Sequence, residues 1–313
     1  MKVMLIANPF ATTTTANRRG ALAAELAEHV EVVPCLTEYR GHAVELGARA
    51  VEHGFDAVFV HGGDGSVNEV VNGILGPPDS GERPAPEELP ALGVVPGGNA
   101  NVFARALGVG RRPQDATRQL LAALDSGRRR TIGLGHTLGR WFLFNAGMGI
   151  DATVVRQVEE ARHGGAQVGN VLYLRSVLRS FLRPDGPAPT FTVAAAGHAP
   201  VEGVRFGFVS NASPWTYLGA RPIRTNPGTS FDRGLGLTAS TSLSVVRNLG
   251  FGAQLLAGSR NPRAAHLVRD DDVEWVRFRG AEPADVQVDG DYMGQHRDLD
   301  FGCAHGVIDV LVP

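Results

Sequence analysis

Four short apolar runs, each about the length of a strand, fall in the first third of the chain and are separated by amphipathic stretches. The runs are VMLIA (3 to 7), VEVVP (30 to 34), DAVFVH (56 to 61) and ALGVVP (91 to 96). Strands covered on both faces read as continuous apolar runs, and parallel neighbours need crossover helices. Stretches 17 to 29, 42 to 53 and 66 to 75 carry the helical period that such crossovers require. The pattern predicts an α/β N-terminal domain with an open, mostly parallel sheet. A polar, Pro-rich stretch, GPPDSGERPAPEELP (76 to 90), reads as a surface loop, and a further helix at 113 to 126 stops at Gly127 before three arginines. Beyond residue 130 the texture changes to alternating, β-branched segments such as RWFLFNAG, VEGVRFGFVSN and VIDVLV, with helices expected at 152 to 183 and 244 to 258. Residues 131 to 313 are therefore expected to form a second, β-rich and mostly antiparallel domain after a first domain of 1 to 130.

The string GGDGSVNEVVNG (62 to 73) follows a strand and opens a helix. Gly62, Gly63 and Gly65 let backbone amides approach a ligand, and a helix N-terminus behind a glycine nest suits a phosphate. Ser66 and Glu69 have the spacing of a capping box. Asp64 stands among the glycines, where a carboxylate is repelled by phosphates unless it serves a metal or a hydroxyl. A second loop, PGGNANVFARALG (96 to 108), repeats the arrangement, with Asn101 as the expected N-cap and Arg105 one turn later on the same face. Two such loops would clasp a polyphosphate from both sides.

Composition narrows the chemistry. Lys2 is the single lysine among thirty Lys and Arg residues. Its terminal position excludes a Walker-A loop, a protein-kinase strand lysine and a Schiff-base nucleophile. A formal net charge of −2 argues against a nucleic-acid partner, and two cysteines supply no disulfide framework, which suits a reducing, cytoplasmic setting. The N-terminus lacks the length of a signal peptide. No uncharged apolar stretch reaches the roughly 18 residues of a membrane span, so membrane contact is expected to be peripheral, at the inner face.

The two loops resemble those of the diacylglycerol kinase catalytic family, which includes soluble bacterial diacylglycerol kinases and the sphingosine and ceramide kinases. The resemblance extends from Asn8 and Pro9, through Thr37 and Gly41 to Ala43, to FNAGMGIDA (144 to 152) and VQVDGDYMG (286 to 294). A GGDG loop alone is shared with NAD kinases and phosphofructokinases. The resemblance implies an ATP- and Mg²⁺-dependent lipid kinase with a nucleotide domain, a lipid domain and an active site in the cleft between them. Diacylglycerol is the first acceptor implied, and a sphingoid base or other long-chain alcohol the second. An NAD kinase-like enzyme and a nucleotide- or lipid-binding pseudokinase are the other classes in view.

Carried over by residue, Asn8, Pro9, Thr37 and the loop from Gly62 to Asn68 with Glu69 would touch ATP. Gly98, Asn99 and Asn101 would close over its phosphates, and Arg105 would add charge. The proton acceptor would be Asp291, with Asp289 and Asp64 as competing carboxylates and as candidate ligands for a catalytic Mg²⁺. Several positions depart from the family pattern. Phe10 and Ala11, followed by a threonine run, replace the usual Ser-Gly; Asn99 stands where Thr or Ser is usual; and the last motif is D-G-D rather than D-G-E. The positions of a structural Mg²⁺ site are Ser230, Arg233 and Leu235, and an arginine cannot replace an acidic ligand. That site is expected to be lost unless Asp232 substitutes.

Two further signals compete with ordinary packing. GMGIDA (147 to 152) fits a dinucleotide pattern but lacks the following strand and acid, so it reads as a turn. The stretch 168 to 183 sets Arg175, Arg179 and Arg183 opposite an apolar face, so it is either a core-facing helix or a basic helix lying on a membrane. Nothing in the sequence fixes the oligomeric state, a homodimer included.

Overall fold

The computed structural model describes residues 1–81, 83–149 and 190–313. The chain divides into two compact units. One comprises residues 1–134, 139–141 and 304–313, and the other 135–138 and 142–303. The expected boundary at 130 therefore misses the chain's end, because the last ten residues return to the first unit.

The first unit holds β1 (Lys2–Ala7), α1 (Ala16–Ala27), β2 (Glu31–Leu36), α2 (His42–Glu52), β3 (Ala57–Gly62), α3 (Asp64–Leu75), β4 (Ala91–Pro96), α4 (Val102–Ala106) and α5 (Pro113–Asp125). The sheet order is β2-β1-β3-β4, all parallel, with Met4 opposite both Val33 and Val58 and Val60 opposite Val94. Every residue of β3 and β4 is buried, so these two runs carry no polar alternation. Val310, near the chain's end, pairs parallel with Leu92 and extends the sheet beyond β4. The strand period of VIDVLV was legible in the sequence, but its partner more than two-thirds of the chain away was not.

The second unit is the antiparallel one. β5 (Arg129–Thr137) leads into it, and β6 (Arg140–Phe142), whose first two residues belong to the first unit, is followed by β7 (Asn145–Met148), β8 (Phe191–Ala195), β9 (Val201–Val204), β10 (Phe206–Ser210), β11 (Thr216–Leu218) and β12 (Arg221–Ile223). Next come β13 (Leu235–Ser240), a helix labelled α6 (Val245–Ala257), β14 (Leu267–Val273), β15 (Trp275–Val288) and β16 (Asp291–Leu311). β15 pairs antiparallel with β16, β7 and β8, while β10 lies between β7 and β13. Phe278 centres this core, meeting Phe191 and Phe301 edge to face, with ring centroids 6.2 and 5.8 Å away. Among the described residues, no helix is long and apolar enough to cross a membrane. The stretch 168 to 183 and the end of GMGIDA lie outside the described residues.

Candidate active site

The first unit brings its two glycine loops together backbone to backbone at the carboxyl ends of β3 and β4. The amide of Gly97 donates to the Gly62 carbonyl at 2.8 Å. A methyl group at Gly98 would stand 2.7 Å from the Cα of Gly63, and one at Gly97 would stand 2.9 Å from the Gly62 nitrogen. These glycines are there because the loops touch each other. Gly65 differs: it sits in the first turn of α3, and a Cβ there would meet nothing within 4 Å. Glycine in a helix costs about 1 kcal/mol relative to alanine, and no packing inside the protein accounts for it here. Gly63 is the N-cap of α3, and no side chain caps that helix. An uncapped N-terminus with open space at its second residue is shaped for an anion.

The neighbouring polar side chains mostly brace the loops. Asn8 donates from Nδ2 to Ser66 Oγ at 3.0 Å and accepts from the Phe10 amide at 2.9 Å, while its carbonyl takes the Thr14 hydroxyl. Thr13 donates to the Gly97 carbonyl through both its amide and its hydroxyl, each at 3.0 Å. The threonine run thus spends these hydroxyls on backbone, tying the first loop to the second. Pro9 lies half-buried beside it and Phe10 is exposed. Thr37 is buried just past β2, its amide donating to Ala7.

Asp64 answers the question its position raised. Its two carboxylate oxygens accept from the amides of Val102 and Phe103, each at 3.0 Å, so it caps α4 across the loops. Burial pushes this carboxyl above its ordinary range, opposed by those amide bonds. Asn101, the expected cap of α4, holds the N-cap position in a left-handed conformation with φ +47. Its side chain turns back instead, accepting from the Gly98 amide at 2.9 Å and donating to the Gly98 carbonyl at 2.8 Å. The capping box of Ser66 and Glu69 also does not form. The helix begins two residues earlier than its spacing suggested, and Glu69 accepts from the Gly41 amide at 3.1 Å, fixing the start of α2. Asn68 is buried and faces β6, donating to the Trp141 carbonyl at 3.0 Å and accepting from Arg140 and Asn72. Asn68 and Glu69 therefore support α3 and do not line the anion cradle. Asn99 is exposed at the tip of the second loop, and Arg105 is half-buried on α4.

Two cations went unnoticed in the sequence. Arg18 and Arg19, at the start of α1, donate to the carbonyls of Thr13 at 3.0 Å and Thr14 at 2.7 Å. Beside them His61 is fully buried, and neither ring nitrogen has a partner among the described residues. Burial, reinforced by Arg19 and Arg18, lowers its pKa to about 4, so the ring is neutral at pH 7.

In the second unit, Val288 pairs with Asp291 across a two-residue loop, Asp289 and Gly290, both with positive φ (50 and 83). This is the hairpin geometry that D-G favours. The Asp289 carboxylate is buried: Oδ2 accepts from Leu143 at 2.6 Å, and Oδ1 accepts from Phe144 at 3.0 Å and Asn145 at 3.1 Å. Asp289 therefore does not fit a general base, its oxygens being committed to the backbone of the 143 to 145 turn. Asp291, half-buried at the start of β16, is left as the candidate. Neither Asp64 nor Asp289 fits a direct Mg²⁺ ligand, for the same reason. Among the described residues, no three His, Cys, Asp or Glu side chains converge as a metal cluster. At the positions of the structural metal, Arg233 pairs with Asp272 at 3.9 Å, Asp272 accepts the Gly234 amide at 2.7 Å, and the Asp232 amide lies 3.4 Å from Ser230 Oγ.

Residues 2–135 match the family model of the diacylglycerol kinase catalytic domain. The chain is 39% identical over 116 residues to a diacylglycerol kinase of Bacillus subtilis, a stretch covering 36% of this chain and 33% of that protein. It is 39% identical over 109 residues to a Chromohalobacter salexigens protein named "Probable lipid kinase YegS-like", covering 35% and 31%. The chain thus spans about a third of the length of these curated relatives. A solved diacylglycerol kinase structure from Bacillus anthracis superposes with a TM-score of 0.68 at 18% identity, covering 100% of this chain and 97% of that one. An NAD kinase from Archaeoglobus fulgidus in complex with ATP gives a TM-score of 0.51 at 11% identity, covering 99% and 93%. At these identities the superpositions establish the fold: a mostly parallel α/β N-terminal region of NAD kinase type, followed by an antiparallel β-rich region.

Proposed function

We propose, for a chain whose residues 2–135 match the model of the diacylglycerol kinase catalytic domain, that the protein is an ATP-dependent lipid kinase. It transfers the γ-phosphoryl group to a primary hydroxyl, with diacylglycerol as first acceptor and phosphatidic acid as product. The observation that carries the reading is the uncapped N-terminus of α3 with open space at Gly65, set beside a second glycine loop. Backbone amides there can hold a polyphosphate without lysine, and the cations near the loops are Arg18, Arg19 and Arg105. The names borne by the relatives above favour a lipid acceptor over NAD.

In this reading Asp291 takes the proton of the acceptor hydroxyl as its oxygen bonds to the γ-phosphorus, and ADP leaves. Proton removal by a placed carboxylate contributes about 10² to 10⁴ in rate. Phosphoryl transfer otherwise depends on positioning and charge. Mg²⁺, if it accompanies the nucleotide, would supply charge neutralisation on ATP's own oxygens, and no step here runs through a metal held by protein carboxylates. The enzyme would work from the cytoplasm at a membrane surface, where its acceptor resides.

The test is transfer of labelled γ-phosphate in mixed micelles containing diacylglycerol, a sphingoid base or neither with NAD added. Labelled phosphatidic acid supports the proposal. Labelled sphingoid phosphate alone reassigns the acceptor, labelled NADP overturns the lipid reading, and no product with any acceptor despite ATP binding marks a pseudokinase.

A further inference from the structure

Helix α6 in the second unit carries an apolar stripe on its solvent side. Its residues Val246, Leu249, Ala253 and Leu256 recur at intervals of three and four, so they form one stripe along the helix. That stripe faces outward: Val246 is 79% exposed, Leu249 59% and Leu256 47%, and Ala253 is exposed with them. The opposite side carries Phe251 and Leu255, both half-buried, together with polar anchors. Gln254 clasps the backbone of Arg263, donating to its carbonyl at 2.8 Å and accepting from its amide at 2.9 Å. Asn248 donates to the Ser242 carbonyl at 3.0 Å and hydrogen-bonds His266 at 3.1 Å. A surface helix ordinarily turns its apolar stripe to the core and its polar face to water. Here the side held by the protein mixes polar anchors with Phe251 and Leu255, and a second apolar stripe is presented to solvent.

Charge indicates what covers it. The segment from residue 241 to 269 contains Arg247, Arg260, Arg263 and Arg269 and no Asp or Glu, in a chain whose overall net charge is −2. Arg247, Arg260 and Arg263 are exposed. Three aspartates, 270 to 272, follow the segment and Asp271 neutralises Arg269 at 2.9 Å, which leaves Arg247, Arg260 and Arg263 as its exposed charges. An apolar stripe on a helix with no carboxylate of its own and exposed arginines near it matches the interface of an anionic bilayer, where apolar side chains enter the acyl boundary and arginines meet headgroup phosphates. We propose that the outward face of α6, with the arginines around it, is a docking surface for an anionic lipid membrane. It would give a chain whose described helices are too short and polar to span a bilayer a way to reach a lipid acceptor. The proposal extends the lipid-kinase reading without depending on it, because binding is measured with neither nucleotide nor acceptor present.

The experiment is co-sedimentation of the full chain with phosphatidylcholine vesicles, alone or with about one-third phosphatidylglycerol, which supplies the negative surface potential. The wild type should sediment with the anionic vesicles and weakly with the neutral ones. The triple variant Val246→Ser, Leu249→Gln, Leu256→Gln should lose about tenfold or more in partitioning, while its circular dichroism and unfolding temperature stay at wild-type values because these side chains face out. Arg247→Glu with Arg260→Glu should lower binding to anionic vesicles about fivefold or more per arginine and leave the weak neutral binding unchanged. Wild-type sedimentation by the folded triple variant, or no sedimentation of the wild type with anionic vesicles, overturns the proposal. A concentration-dependent dimer that the triple variant abolishes, without vesicle binding, also overturns it and assigns the face to a second copy.

Discussion

Replacing Asp289 and Asp291 one at a time by asparagine separates a structural carboxylate from the proposed base, although the two stand two residues apart. Asp289 Oδ1 serves the amides of Phe144 and Asn145, and Oδ2 serves that of Leu143. Asparagine keeps one acceptor oxygen for the first pair but turns an NH₂ toward the Leu143 amide, so one donor faces another in a buried site. A buried donor left unpaired costs about 1 to 3 kcal/mol, which sets the expected loss near 2 kcal/mol. The positive φ of 50 adds little, since asparagine tolerates that region as well as aspartate does. For a unit of this size, such a loss lowers the unfolding temperature by about 6 °C. Asp289→Ala, which strands all three amides and places a Cβ-bearing apolar residue at positive φ, should cost about twice as much. Asp291→Asn removes the proposed base while changing stability by about 0.5 kcal/mol or less, and should cut kcat by about 100-fold or more. The assay is thermal unfolding of each variant with turnover normalised to folded protein. Unfolding of Asp289→Asn at the wild-type temperature without turnover, with Asp291→Asn still active, would reverse the two roles.

Two other perturbations read the glycine loops and the buried histidine. Gly65→Ala should raise the unfolding temperature, by about 1 kcal/mol of helix propensity, yet weaken ATP binding at least tenfold; at a concentration about 100 times the original Kd, the ATP-induced stabilisation would fall from about 2.7 to about 1.4 kcal/mol. Gly98→Ala, whose methyl would sit 2.7 Å from Gly63 Cα, should instead destabilise by about 1 to 3 kcal/mol, seen as a lower midpoint in urea. His61 has a folded pKa of about 4, below its ordinary 6.5, so the unfolded chain binds the proton first as pH falls. Stability should drop between pH 6.5 and 4 by about 3 kcal/mol from this residue. His61→Leu should flatten that slope in calorimetry, and an unchanged slope would place the titration elsewhere.

The parallel sheet was legible because β1, β3 and β4 are buried on both faces and their apolar runs show it directly. The loops were legible for the same local reason, being glycines between a strand and a helix. What the sequence concealed was long-range. Asp64 reads as a metal or hydroxyl partner until α4, some forty residues later, is seen to turn its amides onto it. Glu69 has capping-box spacing, yet the N-cap of α2 lies close enough to take its carboxylate. Local propensity cannot weigh such tertiary partners. The D-G dipeptide between Val288 and Asp291 did carry a hairpin signal, and heeding it would have marked Asp289 as a turn residue rather than a base.

The central claim is that backbone amides at the start of α3 and in the second glycine loop hold the nucleotide's phosphates. Titration of ATP into isotope-labelled protein, followed by amide NMR shifts, tests it without any acceptor lipid. The largest shifts should fall on Gly63, Gly65, Ser66, Gly98 and Asn99, and Gly65→Ala should weaken them together. Saturable ATP binding that leaves those amides in place and moves others would contradict it.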